Sequence, residues 1–399
     1  MSALTNMLTS AFDQYQATRG AAIPAYLGQV GCRTFIPDTI NPSITRQMNV
    51  RSEFLRDSVP YLQLGFGNFY TTTTGEANGG AVRYITAGIE FPLGTITQVK
   101  FDGSPTLALA DGVDKVLSDP VLPPLPYISW PRTAQIWIRT LQECAAGIIF
   151  SSSYKAYGLL LDRTHTSNAA VDGTMDPAWS GGSLGGNPFG PYCIVGPTTR
   201  PSIVSVHDSR GNGGTMTSNS TTYTGEVQGA FGPRFGFMDL SRGTQQAEQI
   251  AGAGFTKRKA YLIHASHGIC GAGVNDMVTN GRTAAQVAGY RQTIIGFAPK
   301  LKWLETTIAP VTTSTDSWAT TANQTVTSIN AERILFNQRV RAGNAGFDGF
   351  IDIADLLESA RNSGFWKPFM TGDGLHAVNA GYALCDTGID TSIVRPLAA

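Results

Sequence analysis

The hydrophobic pattern of the chain changes character near residue 200. Between about Tyr61 and Thr140, short runs such as VRYITAGIEF, TITQVKF and AQIWIRT are broken by GEANGG, PLG and FDGSP. Runs of strand length, punctuated by Gly, Pro and Asp with no helical stretch between them, predict an antiparallel β-sandwich of jelly-roll-like form. The stretch 151–199, rich in Gly, Ser, Asn and Pro, predicts long loops closed by one or two strands, with PYCIV the best candidate. Upstream, Leu4, Leu8, Phe12 and Tyr15 fall near helical spacing and predict a short helical arm.

Beyond Pro201 the apolar runs SIVSV, FGFMDL, KAYLIHA, KWLETTIAP and FDGFIDI alternate with helix-like segments, clearest in TQQAEQIAG, RTAAQVAGYRQTIIGFA and TVTSINAERILFNQRVRA. Strand–helix alternation of this kind predicts an α/β domain with a parallel sheet between helices. The domain reading is therefore an arm and extended segment over 1–59, a β-sandwich over 60–199 and an α/β domain over 200–399. At 399 residues the chain is long enough for two domains that each bury a core.

Composition narrows the function classes. Hydrophobic residues make up 42% and charged residues 15%, as in a folded globular protein. Lys plus Arg and Asp plus Glu both number 29, so no basic excess marks a nucleic-acid or anionic-membrane partner. The five cysteines are scattered without a CxxC pair, which predicts free, buried thiols. No signal peptide and no transmembrane segment are read from the sequence, so the expected location is cytoplasmic or reached without a classical signal, as in a virion component. The oligomeric state is left open.

Four segments carry the chemistry. SIVSVHDSRGNGG is an apolar strand running into a glycine-rich turn with Ser209 at its tip, where a serine has an exposed hydroxyl and a free N–H. FMDLSRGTQQAEQ places Gly243 at an expected helix start, GAGVNDM places Asn275 just after a strand, and GDGLHAVNAGY sets Asp373 and His376 three residues apart ahead of a helix. Serine is a poor nucleophile until an imidazole removes its proton, and a carboxylate can orient that imidazole. A tetrahedral intermediate then needs fixed donors for its oxyanion.

In order and content these blocks resemble the SGNH (GDSL-like) hydrolase family over roughly residues 200–390. The resemblance implies a three-layer, flavodoxin-like hydrolase domain with Ser209 as nucleophile, His376 as general base and Asp373 as its orienter. It also implies an oxyanion hole made by the N–H groups of Ser209 and Gly243 and the Asn275 amide. The family usually has Gly-Asp-Ser at the first block, whereas this chain has His207-Asp208-Ser209. His207 and Asp208, with His267 on sequence proximity to Asn275, are the candidate pocket residues.

No cofactor and no metal are expected. The spacing His264-x-x-His267-x-x-Cys270 resembles a metal-ligand run, but on a strand over 261–266 side chains three apart face opposite ways. GGSLG around Ser183 fits G-x-S-x-G without the strand and helix that motif requires. An SGNH domain beside a β-sandwich resembles carbohydrate esterases, which implies hydrolysis of short-chain, O-acetyl esters on a small molecule or polysaccharide. The alternatives are a lipase, lysophospholipase or thioesterase of the same fold, and a non-enzymatic carbohydrate-binding or phage-tail module with a degenerate site. A His base implies a rate that rises with pH through an apparent pKa of about 6–7.5.

Overall fold

The computed structural model describes residues 25–152, 162–214, 216 and 223–397. The expected helix around Leu4–Tyr15 lies outside them. A parallel sheet occupies the C-terminal half, in the spatial order Thr34–Phe35, Gly236–Asp239, Ser202–Val206, His267–Cys270, Lys302–Thr306, Gly349–Ile351. Counted from Ser202 onward, its five sequential strands lie in the order 2-1-3-4-5, with Thr34–Phe35 added at one edge. This is the flavodoxin-like arrangement, whose switch point lies between the first and third strands.

Both faces of this sheet are covered, and alternation along each strand decides which side chain goes where. Ile203, Phe237, Ile269 and Leu304 point to one face, into a cluster with Val227 and Phe231 of helix Gly225–Phe231 and Tyr382 and Cys385 of helix Asn379–Gly388. Val204, Met238, Cys270 and Trp303 point to the other, where they meet Ile250 of helix Ala247–Ala251 and Ile294 of helix Ala284–Ile295. Helix, sheet and helix make three layers.

The N-terminal half is antiparallel. One sheet runs Thr106–Leu109, Arg83–Glu90, Gln135–Glu143, Arg46–Phe54, Arg163–Thr166, Ser183–Leu184, with Ile96–Gln98 also on Arg83–Glu90; a second runs Tyr26–Gln29, Cys193–Thr198, Gln63–Phe66, Val116–Leu117. Leu64 and Val195 of the second sheet share a buried cluster with Ile85 and Ile138 of the first and with Val204 and Trp303 of the parallel sheet. The core is thus continuous between the halves rather than split in two.

Several expectations need correction. Residues 25–59, expected as an extended segment ahead of the two domains, are built into both sheets: Arg46–Phe54 is an interior strand of the antiparallel sheet, and Thr34–Phe35 extends the parallel one. The run KAYLIHA is not a strand; Arg258–His264 forms a 3₁₀ helix and the sheet position falls to His267–Cys270. Gly268 makes that register possible, since a Cβ there would lie 2.3 Å from the Trp303 ring of the adjacent strand. All five cysteines are free and buried. Burial pushes the Cys32, Cys193 and Cys270 thiols up to about 12, which removes them as nucleophiles. Among the described residues, no helix is long and apolar enough to cross a membrane.

Candidate active site

Strand Ser202–Val206 delivers the chain to the switch point, and Asp208 turns it. The Asp208 carboxylate accepts the Arg210 N–H at 3.0 Å and caps the single-turn helix Ser209–Asn212. Gly213, with φ +83°, closes the turn in the left-handed conformation and returns its N–H to the Ser209 carbonyl. Ser209 therefore opens a helix at the carboxyl edge of the sheet, and it is 7% exposed.

The loop before helix Asn379–Gly388 meets it there. The Ser209 hydroxyl lies 2.7 Å from His376 Nε2, and His376 Nδ1 lies 2.7 Å from Asp373 Oδ2. The other Asp373 oxygen accepts the backbone N–H of Leu375 at 2.8 Å and of His376 at 2.7 Å. Partial burial alone would raise the Asp373 pKa. Hydrogen bonds from the His376 ring and from the two backbone amides outweigh it and hold the carboxyl well below the usual carboxylate range. An ionised Asp373 accepts from Nδ1–H, which leaves Nε2 of the neutral ring to accept the Ser209 hydroxyl proton.

Three residues not singled out by sequence shape this loop. Thr371 donates its hydroxyl to the His376 carbonyl at 2.6 Å and accepts the Gly374 N–H at 2.9 Å. Gly374 has φ +73°, and a Cβ there would lie 1.9 Å from the Thr312 carbonyl oxygen. Gly214 borders the Ser209–His376 pair, because a Cβ on it would sit 3.1 Å from both His376 Nε2 and Ser209 Cβ.

Gly243 and Asn275 lie on neighbouring loops. Arg242 N–H donates to the His207 carbonyl at 3.1 Å, tying the Gly243 loop to the Ser209 turn. Asn275 Nδ2 donates to the Gln245 carbonyl at 3.1 Å, and an amide nitrogen carries a second N–H. Gly243 does not start a helix: Thr244 follows it at φ +66°, and the helix begins at Ala247. Asn275 stands in the first turn of helix Val274–Asn280. Its neighbour Asp276 is structural, accepting the Ala247 and Glu248 N–H groups at 2.7 and 2.9 Å.

The three expected pocket residues are placed elsewhere. His207 and Asp208 are 2% and 0% exposed and form the buried lead-in to the Ser209 turn. The His207 ring occupies space left by Gly271, where a Cβ would come within 1.9 Å of it. His267 begins its strand, so it lies at the amino edge of the sheet, opposite Ser209. It borders a cavity of about 840 Å³ with Lys302 and Asp348, and burial lowers its pKa to about 4. His264 instead approaches the Leu27 carbonyl and Lys115 Nζ, at 2.8 and 2.7 Å. Ser183 is an exposed residue of a two-residue edge strand.

No protein-family model matches the chain, and no curated protein does. Over about half its length it is similar to GDSL-like hydrolases of solved structure. One is a GDSL-like lipase from Bacteroides thetaiotaomicron, at 15% identity over 47% of this chain and 84% of that one, with a TM-score of 0.35. A second is Est24, a carbohydrate acetylesterase from Sinorhizobium meliloti, at 14% identity over 47% and 95%, with a TM-score of 0.33. A family two carbohydrate esterase from Clostridium thermocellum aligns over 87% of this chain and 90% of its own, at 10% identity and a TM-score of 0.32. Likeness this distant says nothing about activity, which has to be argued from the site itself.

Proposed function

We propose that this protein is a serine ester hydrolase of the SGNH type that works through an acyl-enzyme on Ser209. One observation carries the reading: the unbroken relay from Ser209 Oγ to His376 Nε2 and from His376 Nδ1 to Asp373 Oδ2, each step 2.7 Å. As Ser209 attacks the ester carbonyl, its proton passes to Nε2, and ionised Asp373 stabilises the resulting imidazolium. The N–H groups of Ser209 and Gly243 and the Asn275 amide receive the oxyanion. His376 then protonates the departing alcohol and activates the water that releases the acid.

The substrate we favour is a short-chain ester, an O-acetyl group on a carbohydrate. The support is the SGNH resemblance together with the antiparallel half, read as a β-sandwich beside the hydrolase layers. His207, the one departure from the usual first block, lies under the nucleophile turn, so it does not obstruct an approaching ester.

The test is hydrolysis of p-nitrophenyl acetate by the wild type and by Ser209→Ala. Turnover lost in the variant is expected; equal turnover in both would refute the assignment. Faster cleavage of acetyl than octanoyl esters, with acetate released from acetylated polysaccharide, is expected of the favoured substrate. The reverse preference would indicate a lipase.

A further inference from the structure

Arg210 follows the nucleophile directly, yet its side chain turns away from the site and is buried, at 2% exposure. Its guanidinium donates from Nη1 to the Ala309 carbonyl and from Nη2 to the Pro310 carbonyl, both at 3.1 Å. Two residues on, Thr312 N–H donates to the Gly374 carbonyl at 3.0 Å, and Gly374 lies between Asp373 and His376. Trp366 Nε1 donates to the same Gly374 carbonyl at 3.1 Å, and its ring centroid lies 6.0 Å from the Arg210 guanidinium. On its far side the segment is fixed at Ile308, whose carbonyl accepts Arg333 Nη1 at 3.0 Å and Asn337 Nδ2 at 2.9 Å.

The geometry points to Arg210 as a positioning residue that sets the distance between Ser209 and His376 by clamping the nucleophile turn to the 309–312 segment, and so to the Asp373–His376 loop. This rests on Ser209 being the nucleophile. A planar fork suits such a clamp, because two N–H groups of fixed direction reach two successive carbonyls, whereas a lysine ammonium would hold one without fixing an orientation. The buried cation has anionic company in Asp208 and Glu226. Burial raises the pKa of the Glu226 carboxyl, and the charges of Arg210 and His207 oppose that rise.

Arg210→Met alone would leave these buried carboxylates short of a counter-charge, so the informative variants are Arg210→Lys and the pair Arg210→Met with Glu226→Gln. The first keeps the charge and loses the fork; the second removes one charge of each sign. With p-nitrophenyl acetate as probe, kcat is expected to fall about tenfold in Arg210→Lys and about 10²-fold in the pair, the loss a misplaced reacting group brings. KM should change little, kcat counted per folded molecule should fall even though the loss of the two buried hydrogen bonds lowers the thermal midpoint, and Glu226→Gln alone should keep its kcat. Wild-type kcat in a folded Arg210→Lys, or a loss that only tracks the folded fraction, would overturn the clamp alone. A wild type without Ser209-dependent turnover would overturn the clamp and the hydrolase reading together.

Discussion

Arg139 in the antiparallel half and Arg210 in the parallel half are both buried, but their surroundings differ. Arg139 lies 2.8 Å from Glu90 and donates further to the Gly173 and Asp176 carbonyls. Arg33 in the same half is paired with Asp162 at 2.9 Å. Around Arg210, several buried polar atoms have no hydrogen-bond partner among the described residues: Arg210 Nε, His207 Nε2, Asp208 Oδ2, Asn212 Oδ1 and Glu226 Oε1. The antiparallel half has such atoms too, as at Arg83 Nη2 and Thr140 Oγ1, but they are dispersed along the chain, whereas these five fall within residues 207–226. Closed pairs specify and hold a fold. The polar groups collected beside Ser209 belong to the site proposed there.

The contrast can be broken first at the serine. Ser209→Ala is expected to lower kcat for an accepted ester by at least about 10⁴-fold, close to what loss of a whole triad does elsewhere, with little change in thermal midpoint. The antiparallel half should respond the other way. Arg139→Met leaves the buried Glu90 carboxylate without a counter-charge and with the Gly94 N–H still donated to it at 2.7 Å, which costs about 3–5 kcal/mol of stability, while kcat per folded molecule stays at the wild-type level. Denaturant unfolding and active-site titration of the same sample separate the two quantities. A large fall in kcat with unchanged stability would mean that the halves do not divide these roles.

A smaller effect is expected at Asn275. On the proposed mechanism, Asn275→Ala removes one donor to the oxyanion and should reduce kcat by about 10²-fold with KM nearly constant, checked by steady-state kinetics on p-nitrophenyl acetate.

The smallest contrast is in pH. The folded-state pKa of Asp373 is depressed, so its contribution to stability is fully present above the unfolded value of about 3.9 and is lost only as pH falls through the folded one. From pH 8 to 5, therefore, Asp373 should not titrate. Over that window Asp373 should therefore bring no loss of stability. Thermal midpoints of the wild type and Asp373→Asn between pH 8 and 5 test this: a constant difference between the two is expected, and one that shrinks as pH falls to 5 would contradict the depressed pKa.

What is legible in the sequence follows the range of the forces involved. The strand Ser202–Val206 and the Asp373–His376 block are legible because apolar runs and turn residues act locally. Strand Arg46–Phe54 is hidden because its polar side chains are satisfied far away: the Ser52 N–H and hydroxyl both donate to Asp162. A strand buried on both faces, RQMNVRSEF, then lacks the expected alternation. Arg210 carries no local signature either, since the carbonyls it holds lie about 100 residues on. Its one hint is a second charged residue, after Asp208, at the end of the apolar run SIVSV. Gly243 reads as a helix start because nothing in the sequence marks Thr244 as left-handed, a conformation that a β-branched residue rarely adopts.

The most direct measurement is mass spectrometry of the intact protein and its peptides after exposure to a fluorophosphonate, which phosphonylates only a serine whose proton has a base to receive it. One adduct per chain on the peptide that contains Ser209, formed by the wild type and greatly slowed in His376→Ala, is the result the relay demands. An adduct confined to another serine, or equal labelling with and without His376, would contradict it.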